Sequence, residues 1–237
     1  LSLEERLSRH HLFFVILLGI WTNTSLSTAE ELQPHRAYYT ISMISLPSIK
    51  STVTDVRGTM MLELSKTCDG WASQQVSEIW RYSGEDEVEH IRWGNVTFES
   101  SDGRFFKFNT FRKVDDELVE DIRGKATKGA KGIDVSYQKP NKLILKLPEG
   151  TLFPLEYTQG LLKIAEEGEH MYPHIVFDGS STEGPSEIDA FVGEKKVMAG
   201  NPAAEGTHQF AAQPFWPVRF SVYGEGGGQY EAEYTTT

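Results

Sequence analysis

The chain has one cysteine, Cys68, among 237 residues. It also has no excess of positive charge, no internal repeat, no Pro/Ser-rich linker and no second long apolar run. Each absence excludes something. A lone cysteine cannot form an intramolecular disulfide within this sequence. A net charge of -11 repels phosphate and removes nucleic-acid binding, whose affinity comes from clustered Lys and Arg; such acidity mainly keeps a surface solvated. Without a repeat or linker, one large domain is expected.

The single long apolar run sits at the start. Arg6, Arg9, His10 and His11 precede Leu12 to Trp21, which is too short to span a bilayer comfortably, since that takes about 20 apolar residues. The stretch "TNTSLSTAEE" follows, in which Ser27 and Ala29 satisfy the small-residue rule of a signal peptidase site. Residues 1–29 are therefore predicted to be a signal peptide, cleaved after Ala29. Leu12 to Leu18 contains no polar residue at helical spacing, unlike an amphipathic helix. No lipid-anchor cysteine lies near the site. Export without stable membrane insertion is expected, leaving about 208 residues with the charge unchanged.

Beyond the leader the pattern is that of strands. In "VRGTMMLELS", Val56, Met60, Leu62 and Leu64 share one parity while Thr59, Glu63 and Ser65 take the other, as in a sheet buried on one face; Met61 interrupts the alternation. Asp69-Gly70 and Ser101-Asp102-Gly103 are turn signals between β-type runs. Further runs, "RFFKFNTFRKV", "LVEDIRGKATK", "GIDVSYQK" and "KLILKL", extend a long antiparallel meander. "PLEYTQGLLKIAEEG" breaks the rhythm. Pro154 suits a first helical position, Leu155, Leu161, Leu162 and Ala165 recur near helical spacing, and Gly168 is placed to stop a helix. A lone helix among strands is expected to cover the open end or face of a curved sheet. Strand-like runs resume with "HIVFDGS", "SEIDAFVGEKKV" and "WPVRFSVYG". The sequence closes on Tyr230, Ala232 and Tyr234 alternating with Glu231 and Glu233, a strand with no natural ending.

Catalytic constellations are not legible. His170 and His174 could share a metal on a regular helix, but Gly168 and Pro173 forbid one there. In an extended chain they stand about 13 Å apart, at roughly 3.3 Å per residue, too far for one ion. Ser180 and Ser181 lie near Asp178 with no nucleophile elbow and no placed base. Gly224 to Gln229 lacks the Lys and helix of a phosphate loop. Asp115-Asp116 and Glu85-Asp86 read as solvated turns. Trp71, Trp80, Trp93, Phe105, Phe106, Phe108, Phe111, Phe153, Phe215 and Trp216 either fill a core or line an acyl-chain cavity. Cys68 taken alone reads as a small buried hydrophobe rather than a thiolate, because Asp69 beside it disfavours the charged form.

The order of "HRAYYTISM", "VRGTMMLEL", "CDGW", "FESSDGRFFKFNT", "LPEGTLFP", the helix and "VFDGSSTEG" resembles the EipB family of cell envelope integrity proteins, over almost the whole chain from His35. The resemblance implies a periplasmic protein with a β-spiral: a strongly curved, barrel-like antiparallel sheet, residues 30–237, with one helix at its mouth or interior. It implies no enzyme activity, no cofactor and no metal, and a periplasmic tetratricopeptide-repeat protein as partner. Family members carry a second cysteine near the C-terminus bonded to the counterpart of Cys68. On that pattern the C-terminal strands bearing the partner are expected to be missing here, and the bridge would contribute roughly 5 kcal/mol by chain entropy. The expected function is non-enzymatic support of the cell envelope by protein binding, with candidate surfaces at a strand edge or near Trp71 and Trp216; the alternative is a lipid or lipoprotein carrier using the concave face.

Overall fold

The structure, a computed structural model, describes residues 32–43, 52–84, 87–197, 214–223 and 234–236, the last three in backbone only. The expected signal peptide, Glu85-Asp86, the glycine-rich segment from Gly224 and the alternation up to Glu233 lie outside them.

Eight strands pair antiparallel in chain order: β1 (His35–Ser42), β2 (Val53–Lys66), β3 (Gly70–Ser83), β4 (Glu87–Ser100), β5 (Phe105–Val114), β6 (Glu117–Gly129), β7 (Gly132–Lys139) and β8 (Leu143–Leu147). The expected turns join them. Thr67 Oγ1 accepts from Gly70 N–H at 3.1 Å in the β2–β3 turn. Asp102 accepts from the Ser100 hydroxyl at 2.6 Å and the Arg104 N–H at 3.1 Å in the β4–β5 turn. Asp115 and Asp116 take φ of 49° and 64° between β5 and β6, the left-handed pair that a tight hairpin requires. Register irregularities at Val53/Asp55, Arg112/Lys113 and Arg123/Gly124 bend and twist the ribbon, as bulges do. The sheet stays open, with β1 and β8 at its edges.

After β8 comes the one helix among the described residues, α1 (Pro154–Glu166), in the expected place and with Gly168 stopping it at φ 79°. The meander does not continue through the last strands. β9 (Met171–Val176), β10 (Ser186–Val192), β13 (Val218–Tyr223) and β14 (Tyr234–Thr236) form a second antiparallel sheet, ordered β14-β13-β10-β9, and β11 (Lys196–Val197) pairs with β12 (Pro214–Phe215). The fold is mainly β, with a large antiparallel sheet and one helix, as the sequence predicts.

Two cores follow from this division. In the first, alternate residues of β5 to β8, including Phe106, Phe108, Ala126, Val135, Tyr137 and Leu147, close over Phe153 and Phe177. Phe106 stacks on Phe153 at 5.0 Å and meets Phe177 edge-on at 6.2 Å, the geometries that aromatic quadrupoles favour. Phe108 lies in a slot between two glycines: a Cβ on Gly124 would stand 2.5 Å from its ring and one on Gly179 2.3 Å from its Cγ, and Gly179 also holds φ 72°. That is the physical content of the "FDGS" motif. The loop after β9 is pinned there by Tyr137, whose hydroxyl donates to the Ser181 carbonyl at 3.0 Å, and by Thr110, whose hydroxyl donates to that of Gly179 at 3.3 Å. The second core joins α1 to the smaller sheet through Tyr157, Leu161 and Ala165 against Val176, Ala190 and Val192. Its helical stripe runs at i, i+4 and i+8, with Tyr157 in place of the expected Leu155 and Leu162, which are half-buried.

Candidate functional site

The large sheet is asymmetric. Its inner face beyond the first core, across β2 to β4, carries Met60, Leu62, Leu64, Ile79, Ile91 and Trp93, all only half-buried. Its outer face is not the plain polar surface that alternation suggests. One cross-strand row reads Tyr38↔Met61↔Val76↔Gly94↔Phe111 from β1 to β5. Met61, the residue that interrupts the sequence alternation, belongs to this row. Gly94 leaves room in it for the Phe111 ring, which lies across the strand: a Cβ there would stand 2.3 Å from the ring edge and push the ring aside. At the β1 end the row opens into a groove of about 530 Å³ lined by Tyr38, Thr40, Thr59, Met61, Val76 and Glu78, with Tyr39 and Met60 contributing. Tyr38 is 74% exposed.

The rim of the groove is polar. Glu78 faces His90 Nε2 at 3.3 Å and forms a loose ion pair with Arg92 Nε at 3.8 Å; neither nitrogen completes a hydrogen bond. His90 is held by stacking on Trp80 at 4.9 Å. On the other side Arg36 donates from Nε and Nη2 to Glu63 at 2.9 and 2.6 Å.

Strand β1 is also an edge, and it differs from the other edge. β8 spans five residues, holds Lys146 and lies between Pro140 and Pro148, devices that discourage strand addition. β1 spans eight residues, follows Pro34 and holds Arg36 but no Lys, Pro or bulge, and presents Tyr38 and Tyr39 beside a backbone edge that pairs with no further strand among the described residues. An apolar groove alongside an unguarded strand edge is suited to holding an extended or amphipathic segment of another protein.

The other sequence candidates are accounted for. Trp71 is buried, and Trp216 packs against the second core with Lys195 Nζ 4.8 Å above its ring; exposed aromatic rings stand at the strand edge, on Tyr38 and Tyr39, and also beside Trp216, on Phe215. Of the remaining aromatics, Phe106, Phe108 and Phe153 are core, whereas Phe215 is exposed. His170 Nδ1 bonds the Val192 carbonyl at 2.9 Å, and His174 packs on Tyr172 with ring centroids 4.0 Å apart; no group of three potential metal ligands occurs among the described residues. Ser180 is occupied by Asp178, which accepts from its N–H at 2.9 Å and its hydroxyl at 2.7 Å. Cys68 is not the buried hydrophobe expected of a lone cysteine: it is a free, exposed thiol, because it falls in the β2–β3 turn and not on a covered strand face.

One buried carboxyl went unmarked in the sequence. Glu99, 5% exposed at the end of β4, accepts from the Leu155 N–H at 3.0 Å and the Glu156 N–H at 3.1 Å. A phenylalanine, Phe153, occupies the helix N-cap and carries no acceptor, so a carboxylate from another sheet takes that role. Glu156 accepts from the Phe153 N–H at 3.4 Å and pairs with Lys128 of β6. Burial pushes the Glu99 carboxyl up to about 7, against the two N–H bonds and Lys128, which favour ionisation. A perturbed carboxyl can mark an active site, but this one is spent on the helix terminus and faces no nucleophile. It fastens α1 to the large sheet.

A family model described as EipB-like matches residues 26–237. A cell envelope integrity protein of Brucella abortus, named EipB, is 28% identical over 203 residues, covering 84% of this chain and 71% of that protein. A crystal structure described as a beta-barrel-like protein of a domain of unknown function, also from Brucella abortus, superposes with a TM-score of 0.77 at 25% identity, covering 85% of this chain and 84% of that one. Among the described residues no helix is long and apolar enough to cross a membrane.

Proposed function

The chain belongs to the EipB-like family, and on that premise we propose that it is a non-enzymatic periplasmic protein that supports cell envelope integrity by binding another protein through β1 and the outer groove. The observation that carries this reading is the pairing of an unguarded edge strand with an apolar row, Tyr38, Met61 and Val76, on a face where charged side chains are the norm. The β5–β8 end of the same sheet supplies the rigid support such a surface needs. The partner suggested by the family resemblance is a periplasmic tetratricopeptide-repeat protein. Its stacked helices would present side chains for an apolar groove with a charged rim.

The test is co-purification of that partner with the secreted chain, wild type against Tyr38→Glu/Met61→Glu. Recovery with the wild type and loss with the double variant are expected. Equal recovery by both forms would move the binding surface elsewhere, and recovery by neither would remove this partner.

A second reading, a lipid or lipoprotein carrier, is supported by the half-buried apolar inner face of β2 to β4. Native mass spectrometry of the purified chain should then show a bound lipid that Leu62→Asp removes.

A further inference from the structure

The outer face of β5 to β8 has the opposite charge to the chain as a whole. Lys107 of β5 stands directly across from Lys125 of β6, and like charges in that position destabilise a sheet. Arg123, two residues along β6, pairs across with Asn109 and Lys139 and reaches only Asn109 Oδ1, at 3.4 Å. The acids on this part of the face are each matched by a lysine of their own: Asp121 by Lys139, and Asp134 by Lys146 at 3.1 Å. Lys107 Nζ sits 5.4 Å from the Phe105 ring centroid, and no ion pair joins Lys107, Lys125 or Arg123 to a carboxylate among the described residues. Three cations therefore go uncompensated in a chain of net charge -11. The Lys107↔Lys125 row continues through Ser136 to Ile144 on β8, and Ile144 is 74% exposed.

We propose that this face docks onto an anionic lipid surface, with Lys107, Lys125 and Arg123 against headgroup phosphates and Ile144 entering the interfacial layer. Charge complementarity carries the assignment. Close like-charged lysines are unfavourable in water, and the pair gains when one negative surface neutralises both. Beyond a Debye length of about 10 Å the acidic remainder of the molecule is screened, so the local patch decides. Protein interfaces tend to exclude lysine from their centres, whereas basic residues near an anionic leaflet are favourable one by one. The proposal does not rest on the groove at β1, which occupies the other end of the sheet.

The experiment is co-sedimentation of the secreted chain with vesicles of pure phosphatidylcholine and with vesicles containing one-third phosphatidylglycerol, at low and high salt, for the wild type and Lys107→Gln/Lys125→Gln. Binding to the anionic vesicles alone, lost at high salt and weakened about 30-fold in the variant, is expected. The variant should melt no lower than the wild type, because it loses a repulsion. Equal binding to both vesicle types, no binding to either, or full binding by the variant would overturn the proposal. So would displacement of the wild type by inorganic phosphate at unchanged ionic strength, which would identify a small-anion site instead.

Discussion

The two halves of the large sheet are built alike and finished differently. In β5 to β8 the inner side chains meet Phe153 and Phe177 and vanish from solvent, Phe106 and Val135 completely. In β1 to β4 most inner apolar residues, Trp71 excepted, stay half-buried or exposed, the outer face carries an apolar row, and the edge presents two exposed tyrosines. Hydrogen-bonded pairing alone does not decide what a sheet is for; what covers each face does. The covered half holds the fold and leaves only its charged outer face for contact, whereas the open half offers apolar surface.

The largest effects are expected in the covered half. Phe106→Ala should destabilise by about 3–5 kcal/mol, the range for emptying an aromatic site that cannot collapse, as read by denaturant unfolding. Gly179→Val is expected to cost at least about 2 kcal/mol, since a β-branched side chain there meets both the Phe108 ring and a left-handed backbone. Insensitivity to either change would mean that this half is not the foundation.

Glu99 makes the stability of the covered half depend on pH. Its folded value, about 7, lies above its unfolded one, so its contribution is complete below roughly pH 4.5 and is lost as pH rises through 7. Stability should fall across that window by up to about 3 kcal/mol. Glu99→Gln should flatten the dependence, which melting temperatures across the window would record; an identical slope in the variant would assign it to other groups.

In the open half the expected stability effects are small. Tyr38→Glu should change stability by no more than about 0.5 kcal/mol, as exposed substitutions do, and Cys68→Ser by less. Under oxidising conditions the exposed Cys68 should yield a disulfide-linked dimer on a non-reducing gel that Cys68→Ser abolishes. A wild type that stays monomeric there would show the thiol to be shielded.

Much of this was legible in the sequence. The alternation of Val56, Met60, Leu62 and Leu64, the aspartate and glycine turns, and Pro154 with Gly168 encode local structure, and local structure emerged as read. Met61 registered as a flaw in a pattern because a row across five strands is invisible along any one of them. Glu99 and Leu155 are far apart in the chain, so nothing in either neighbourhood announces the cap. The exposed aromatics were expected at a strand edge or near Trp71 and Trp216; composition could not tell which tryptophan turns inward, and that depends on register.

The measurement that bears most directly on the central claim is site-specific photocrosslinking in cells, with the reactive residue placed at Tyr38 or, as a control, at Gln138 of β7. A discrete adduct with one envelope protein from position 38 and none from 138 is the expected result. Adducts of equal yield from both positions, or from 138 alone, would contradict the assignment of the working surface to the open half of the sheet.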